Sequence, residues 1–111
     1  MIDWTRVRDL RDEIGDDSFA DVVDLFLVET SAVVARLRDY PEPASLEADL
    51  HFLKGCVLNL GFSKVSALCQ QGESMAAKGD AAQVDLAAII NAYDQTADAF
   101  KHAMSQQFSA R

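Results

Sequence analysis

Residues 50–73 read LHFLKGCVLNLGFSKVSALCQQGE and hold the strongest structural signal in this chain of 111 residues. On both sides of Gly61, apolar residues recur at steps of three and four, the spacing that places side chains on one face of an α-helix. A glycine between two such stretches ends or kinks a helix. The stretch therefore predicts two helices joined at Gly61. Their expected buried stripes are Leu46, Leu50, Leu53, Val57 and Leu60 before the glycine, and Val65, Leu68, Cys69, Gly72, Met75 and Ala76 after it.

Two helical patterns precede this stretch. Asp3 is placed to cap a short first helix. The apolar positions of that helix are Trp4, Val7, Leu10 and Ile14. The sequence Gly-Asp-Asp-Ser at 15–18 predicts a break and a new N-cap, so a second helix is expected over residues 19–39.

Proline and glycine set the limits of the remaining helices. The prolines at 41 and 43 stop the second helix, because proline lacks the amide hydrogen that a helix interior needs. The third helix is expected to start at residue 44 or 45 and to end at Leu60. Ser63 is placed to cap the fourth helix, which should end at the Lys-Gly pair 78–79, and Asp80 is placed to cap a long last helix.

Four long amphipathic helices with short connections predict an all-α fold. The natural solution is an antiparallel up-down four-helix bundle, with the additional short N-terminal helix packed against one end. No segment of the sequence reads as a linker, so we expect residues 1–111 to form a single domain.

Charge and composition narrow the class of protein. The formal net charge is −8 and the sequence pI is near 4.5, which disfavours nucleic acid and anionic membrane surfaces as partners. No apolar run reaches the length of a membrane span, and the first residues lack the order of a signal peptide. We therefore expect a cytoplasmic location and, given the small acidic surface, a monomer. The two cysteines, 56 and 69, are expected to be reduced and packed as small apolar groups.

His51 lies at the head of a stretch from which acidic residues are missing. Residues 51–72 contain no aspartate or glutamate, although the chain carries 18 of them. On a wheel of about 100° per residue, His51 lies roughly 140° from the centre of the buried stripe, on the same side as Lys54 and Gly55. A lone histidine on a helix is most often a solvated surface residue, and His102 is read in that way.

Two kinds of site are disfavoured by the surroundings of His51. Zinc requires three or four convergent ligands, and no second histidine or suitable cysteine pair accompanies this one, so we expect no metal site. A Ser-His-Asp hydrolase requires a strained nucleophile turn and an oxyanion hole, which plain helices do not offer.

Phosphoryl transfer fits the pattern better. A neutral imidazole is a competent nucleophile that can accept a phosphoryl group on a ring nitrogen. Lys54, one turn away, can neutralise part of the added negative charge, and Gly55 removes bulk where a partner must approach. Glu73, from the next helix, could accept a hydrogen bond from the other ring nitrogen and so fix the tautomer.

The segment His51-Phe52-Leu53-Lys54-Gly55, followed by Asn59-Leu60-Gly61, Cys69 and Glu73, resembles the histidine-containing phosphotransfer (HPt) domain family. The family signature is histidine, any residue, leucine, lysine, glycine, then a leucine-glycine pair and a later cysteine with an acid or amide. The resemblance implies a four-helix bundle with an extra short helix that relays phosphoryl groups between the aspartates of receiver domains.

The same resemblance implies a role for each matching residue. His51 would be phosphorylated, Lys54 would be its charge partner, and Glu73 would orient the imidazole. Gly55 would provide clearance, and Phe52 and Leu58 fall where the family contacts the receiver. The short first helix usually adds an apolar surface to the same docking site, through positions matching Val7, Leu10 and Ile14, for which core packing is the alternative interpretation.

The resemblance also implies which proteins are partners. It predicts a stoichiometric phosphorelay intermediate rather than an enzyme, working with a hybrid sensor histidine kinase and response-regulator receivers, and holding no cofactor of its own. The sequence has no nucleotide-binding signature. Magnesium, if used, should lie in the receiver's acidic pocket. A helical adaptor that docks receivers without transferring phosphate is the alternative.

Two positions depart from the family pattern. Cys56-Val57 stand where two small polar residues are common, and Gly72 stands where a larger aliphatic residue usually precedes the acid. A glycine inside a helix costs about 1 kcal/mol relative to alanine. At this position it also predicts a gap in the packing next to Glu73.

Overall fold

The computed structural model describes residues 2–109, with side chains described up to Gln106. Five α-helices and one short 3₁₀ turn follow each other along the chain. They are α1 (Trp4–Ile14), α2 (Asp16–Asp39), α3 (Pro43–Asn59), α4 (Ser63–Ala77), the 3₁₀ turn (Ala81–Gln83) and α5 (Leu86–Ser109). The predicted all-α fold is confirmed.

The first two helix boundaries differ in part from the prediction. Asp3 caps α1 as expected, since its carboxylate accepts hydrogen bonds from the backbone N–H groups of Thr5 and Arg6. However, α2 begins at Asp16, three residues before the expected start at Phe19, and Gly15 alone separates it from α1. The acidic residues at 16 and 17 therefore lie in the first turn of α2, where the positive end of the helix dipole favours them.

Three later boundaries also differ. α3 begins at Pro43 itself, because proline is tolerated in the first turn, where its missing N–H is not needed. Ser63 is the first residue of α4 rather than its cap. Asp80 precedes only the 3₁₀ turn and makes no side-chain capping bond. Asp85 takes that role for α5, since its carboxylate accepts a 3.0 Å hydrogen bond from the N–H of Ala88.

Neighbouring long helices run in opposite directions. Arg36 on α2 forms an ion pair of 2.9 Å with Asp49 on α3, and Glu29, two turns earlier on α2, lies close enough to Cys56 on α3 to affect its thiol. Between α2 and α5, residues 23 and 27 share a groove with residues 100 and 104, while Thr30 bonds to Tyr93. α3 and α4 form the most extensively paired hairpin. These pairings are among those that an up-down order requires.

The core lies between the four long helices. It includes the whole stripe predicted before Gly61, whereas of the stripe after it Val65 and Cys69 lie in the core and Leu68 and Ala76 are partly buried against it. Its buried apolar members are Val7, Leu10, Phe19, Val23, Val33, Val34, Leu37, Leu46, Leu50, Leu53, Val57, Leu60, Phe62, Val65, Cys69, Ile89, Ala92, Tyr93, Ala97, Phe100 and Met104. Burial of this much apolar surface is the main stabilising contribution to the fold.

α1 closes one end of the bundle. The Trp4 ring stacks on Phe100 of α5, with ring centroids 5.8 Å apart. The N–H of Asp3 donates a 2.7 Å hydrogen bond to the carbonyl of Gly61. Gly61 has φ of 75°, and a Cβ at this position would overlap the carbonyl oxygen of Asp3. Glycine is therefore required at the α3–α4 turn for two reasons, its positive φ and the close approach of the N-terminal segment.

Across residues 2–109, none of the helices combines the length and the apolar character that crossing a membrane would demand.

Candidate functional site

His51 projects from the side of α3 that faces away from the core. Its side chain is 71 % exposed, whereas Leu50 and Leu53 on either side of it in the sequence are fully buried. The helical period thus places an imidazole in solvent while its neighbours anchor the helix. This is the placement that the wheel predicts.

Glu73 on α4 reaches the imidazole. Nδ1 of His51 lies 2.8 Å from Oε1 and 3.3 Å from Oε2 of the Glu73 carboxylate. An ionised carboxylate only accepts hydrogen bonds, so Nδ1 must carry the hydrogen. In the neutral ring this leaves Nε2 with a free lone pair. The contact therefore selects the tautomer in which Nε2 is the nucleophilic atom.

Lys54 contacts the same carboxylate from one turn further along α3. Its Nζ donates to Oε2 of Glu73 at 2.9 Å and lies 3.3 Å from Oε1. The ammonium also donates to Oε1 of Gln70 at 2.8 Å. The lysine side chain is 23 % exposed, so the cation is fixed at the edge of the site rather than free in solvent.

Gln70 was not predicted as a site residue. The signal for it is its position one turn before Glu73 on α4, the spacing that places two side chains on one helix face. Its amide nitrogen donates to Oγ of Ser74 at 3.2 Å, which turns its oxygen toward the lysine.

The two donors keep Glu73 ionised. The hydrogen bond from Lys54 lowers the pKa of the Glu73 carboxyl below its usual value, and the bond from His51 lowers it further. A carboxylate that remains charged at neutral pH can hold the Nδ1 hydrogen and balance a positive charge on the ring.

Gly72 brings α4 close to α3, and the predicted gap next to Glu73 is wrong. A Cβ at position 72 would lie 2.8 Å from Cδ1 of Leu50 and 3.0 Å from Cγ1 of Val84. These distances are shorter than ordinary van der Waals contact, so the space beside the glycine is already filled. The small residue lets the two helices approach, and Glu73 follows it directly in the sequence.

A family model described as the Hpt domain matches residues 21–103. The chain belongs to the Hpt domain family. Hpt domains carry out histidine phosphotransfer in phosphorelays and interact there with receiver domains and kinases. Searches of curated proteins and of solved structures find no match.

The match to the Hpt domain covers the whole α3–α4 hairpin. It therefore contains His51, Lys54, Glu73 and Gln70, whereas α1 lies outside it. The residue-level site described above comes from the geometry of this chain, since the match itself names no residue.

The residues predicted for docking fall into two groups in this Hpt domain. Phe52 is 43 % and Leu58 is 53 % exposed, and a Cβ on Gly55 would meet nothing within 4 Å. These three positions lie on the accessible part of α3, near His51 in the sequence. In the second group, Val7 and Leu10 are buried in the core and Ile14 is half-buried against it, so the structure favours core packing for them.

Two further exposed apolar residues of the Hpt domain were missed by the sequence reasoning. Leu25 and Val28 on α2 are 55 % and 67 % exposed. Leu25 lies seven residues and Val28 four residues before Ala32, and Ala32 lines a surface groove together with Phe52. Because α2 and α3 run in opposite directions, this register places Leu25 and Val28 alongside the part of α3 that leads from Phe52 to Leu58.

The two cysteine thiols lie on the helices of the site but are closed to solvent. Both cysteines are free and buried. Burial and the neighbouring Glu73 raise the pKa of the Cys69 thiol to about 12, and burial with Glu29 raises that of Cys56. Within residues 2–106, no group of three or more His, Cys, Asp or Glu side chains is arranged to hold a metal ion.

Proposed function

We propose that this Hpt domain is a phosphorelay intermediate that carries the phosphoryl group on Nε2 of His51. It accepts the group from the receiver aspartate of a hybrid sensor histidine kinase and passes it to the receiver aspartate of a response regulator. The observation that carries this proposal is the 2.8 Å contact between Nδ1 and Glu73, because it leaves Nε2 as the free nucleophile on an exposed ring.

The transfer step balances without an added acid or base. The Nε2 lone pair forms the new bond to phosphorus, while the bond between phosphorus and the aspartyl oxygen breaks and its electron pair returns to the receiver carboxylate. The Nδ1 hydrogen stays in place, so the ring becomes positively charged. The ionised Glu73 stabilises that charge, and the reverse step releases the phosphoryl group to the next aspartate.

Lys54 supports the transferred group electrostatically. A phosphoryl group brings about 1.5 to 2 negative charges at neutral pH. Residues 51–72 contain no acid that would repel it, and the lysine ammonium lies beside the same carboxylate that holds His51. The charge pattern of the stretch therefore suits the loaded form of the histidine.

The proposed docking surface is the exposed apolar part of α3 and α2. It consists of Phe52, Gly55, Leu58, Leu25 and Val28. Apolar side chains around a charged centre exclude water from an interface, and the glycine leaves room for the approaching receiver. Among the α1 residues considered, only Ile14 retains enough exposure to contribute.

Several attributes of the protein belong to the same proposal. Residues 1–111 act as one Hpt domain, as a monomer in the cytoplasm, and as a stoichiometric carrier rather than an enzyme. Any magnesium that the reaction uses lies in the receiver, and neither nucleic acid nor membrane is a partner. The acidic net charge of −8 supports the last statement.

Incubation with a receiver carrying ³²P on its aspartate tests the proposal. The wild-type protein should acquire label that is stable in alkali and labile in acid, the behaviour of a phosphoramidate, whereas His51→Gln should acquire none. His102→Gln is the matched control and should be labelled like the wild type. Absence of label on the wild type, with the receiver still bound, would favour the non-transferring adaptor instead.

A further inference from the structure

Three polar side chains of α4 form a continuous row beside the active histidine. Gln70, Glu73 and Ser74 are spaced at i, i+3 and i+4, so they share one helix face. Lys54 reaches this row from α3 and lies between two acceptors, 2.8 Å from the Gln70 amide oxygen and 2.9 Å from the Glu73 carboxylate. The lysine is thus held from two sides, by one neutral and one charged group.

The geometry fixes the orientation of the Gln70 amide. Its nitrogen donates to Oγ of Ser74 at 3.2 Å, so its oxygen is turned to the opposite side, where the lysine lies. The assignment is chemically consistent, since a lysine ammonium has three donors and no acceptor. The ammonium contacts the Gln70 oxygen at 2.8 Å and the two Glu73 oxygens at 2.9 and 3.3 Å, and the longest of these three contacts is the one that a phosphoryl oxygen would replace.

A neutral acceptor is better suited to this place than a second acid. A carboxylate at position 70 would hold the lysine more strongly, but it would also repel a phosphoryl group arriving at His51. An amide orients the ammonium without adding negative charge. Gln70 thereby keeps the stretch 51–72 free of acids while still restraining the long, flexible lysine stem.

We propose that Gln70 is a positioning residue for phosphoryl transfer, which holds the Lys54 ammonium where it can meet the phosphoryl group on His51. This inference rests on the proposed function. Gln70 does not contact the reacting atoms itself. Gln70 affects the transfer rate only by orienting Lys54, so its effect should vanish when Lys54 is removed.

A double-mutant cycle on single-turnover transfer from a phosphorylated receiver tests this role. At saturating receiver, Gln70→Ala should slow loading of His51 by about fivefold, the equivalent of one hydrogen bond. The receiver concentration at half-saturation should not change. In the Lys54→Ala background, the same Gln70→Ala change should have no further effect on the rate.

Gln71→Ala is the matched control, because residue 71 is an exposed glutamine on the same helix that lies outside this row. Its transfer rate should equal that of the wild type. Thermal unfolding of each variant checks that the bundle remains folded, as expected because Gln70 and Gln71 are exposed and Lys54 lies outside the core.

A second readout follows the lysine directly. The ¹H–¹⁵N signal of the Lys54 ammonium should be detectable in the wild type, because hydrogen bonds slow its exchange with water, and it should broaden or disappear in Gln70→Ala. Two outcomes would overturn the positioning role and leave the proposed function intact. One is that Gln70→Ala slows transfer equally in the wild-type and the Lys54→Ala backgrounds. The other is that Gln70→Ala changes only the receiver concentration at half-saturation and not the rate. A wild-type protein that takes up no phosphoryl group would overturn both the positioning role and the proposed function.

Discussion

At the scale of single residues, Glu73 links the side chains of His51 and Lys54 on α3. The same carboxylate accepts from Nδ1 of His51 and from Nζ of Lys54. The imidazole and the ammonium are therefore oriented by one group, and the loss of Glu73 disturbs both. The sequence indicated this acid from its position alone, but it did not show that the lysine shares it.

The stability contribution of Glu73 should depend on pH with a definite sign. Its pKa is lowered in the folded protein from an ordinary value of 4.5, chiefly by the hydrogen bond from Lys54. The unfolded chain therefore takes up the proton at a higher pH than the folded chain does. The stabilisation is complete above pH 4.5 and is lost as the pH falls through the lower folded value.

We expect the difference in unfolding free energy between wild type and Glu73→Gln to shrink as the pH is lowered. Urea denaturation of both proteins from neutral to strongly acidic pH measures it. Glu47→Gln, which removes an exposed acid of α3 that has no hydrogen bond to His51 or Lys54, is the control variant measured in parallel. A difference that stays constant over the whole range would contradict the assignment.

Lys54 should matter for transfer more than for folding. We expect Lys54→Ala to slow phosphoryl transfer by about tenfold, because one charge-assisted contact to the phosphoryl group is lost. Stopped-flow or quenched assays with a labelled receiver measure the rate. Lys64→Ala, an exposed lysine at the start of α4, provides the comparison. Equal rates for Lys54→Ala and the wild type would show that the ammonium does not act on the phosphoryl group.

At the scale of the helices, two glycines of the hairpin have opposite surroundings. Both lie within helices, so alanine gains up to about 1 kcal/mol from helix propensity at either one. At Gly72 the new methyl group would press on Leu50 and Val84, whereas at Gly55 it would meet nothing within 4 Å. Overpacking in a filled core typically costs about 1–3 kcal/mol, which exceeds the propensity gain.

Gly72→Ala should therefore lower the unfolding free energy by about 1 kcal/mol, and Gly55→Ala should raise it by about 0.5–1 kcal/mol. Chemical denaturation of the two variants in parallel measures both signs. The outcome that contradicts this account is stabilisation by Gly72→Ala, because it would mean that the Leu50 and Val84 side chains make room for a methyl group at no cost.

The helices themselves could be predicted from the sequence, and their ends only in part. The three- and four-residue spacing of apolar side chains determines which segments are helical, and that signal is local. More than one acidic residue precedes or begins each of α2 and α5, and the sequence does not show which of them lies at the helix end. The start of α2 at Asp16 and the cap of α5 at Asp85 are therefore known only from the structure. The contacts at Gly72 and Gln70 depend on the distance between two helices, which a single sequence does not contain.

At the scale of the whole molecule, α1 is structurally part of the bundle although it precedes the residues that match the Hpt domain. Trp4 covers Phe100, and Val7 and Leu10 belong to the core. Removal of α1 would expose these apolar surfaces to water. The α3–α4 hairpin would then lose the segment that packs on its turn.

A fragment that begins at Gly15, and so lacks α1 but keeps all of α2, should therefore be less stable than the full chain by several kcal/mol, since burying one large apolar side chain contributes about 1.5–3 kcal/mol. It should also bind the dye ANS, which reports exposed apolar surface. Thermal unfolding and dye fluorescence of the two proteins, compared side by side, measure the effect. Identical melting curves would contradict a structural role for α1.

The hydrogen bond between Asp3 and Gly61 also fixes the point from which a receiver fused to the N-terminus would extend. α3 ends eight residues after His51, at Asn59, so the N-terminal segment is anchored at the turn that follows, beyond about 12 Å from the histidine along the α3 axis. A flexible linker of about ten residues has a root-mean-square span of roughly 17 Å, enough to bridge that distance. A receiver fused ahead of residue 2 should thus load His51 at a rate independent of protein concentration, because the linker supplies a high effective concentration. Dilution of such a fusion distinguishes the tethered reaction from a bimolecular one.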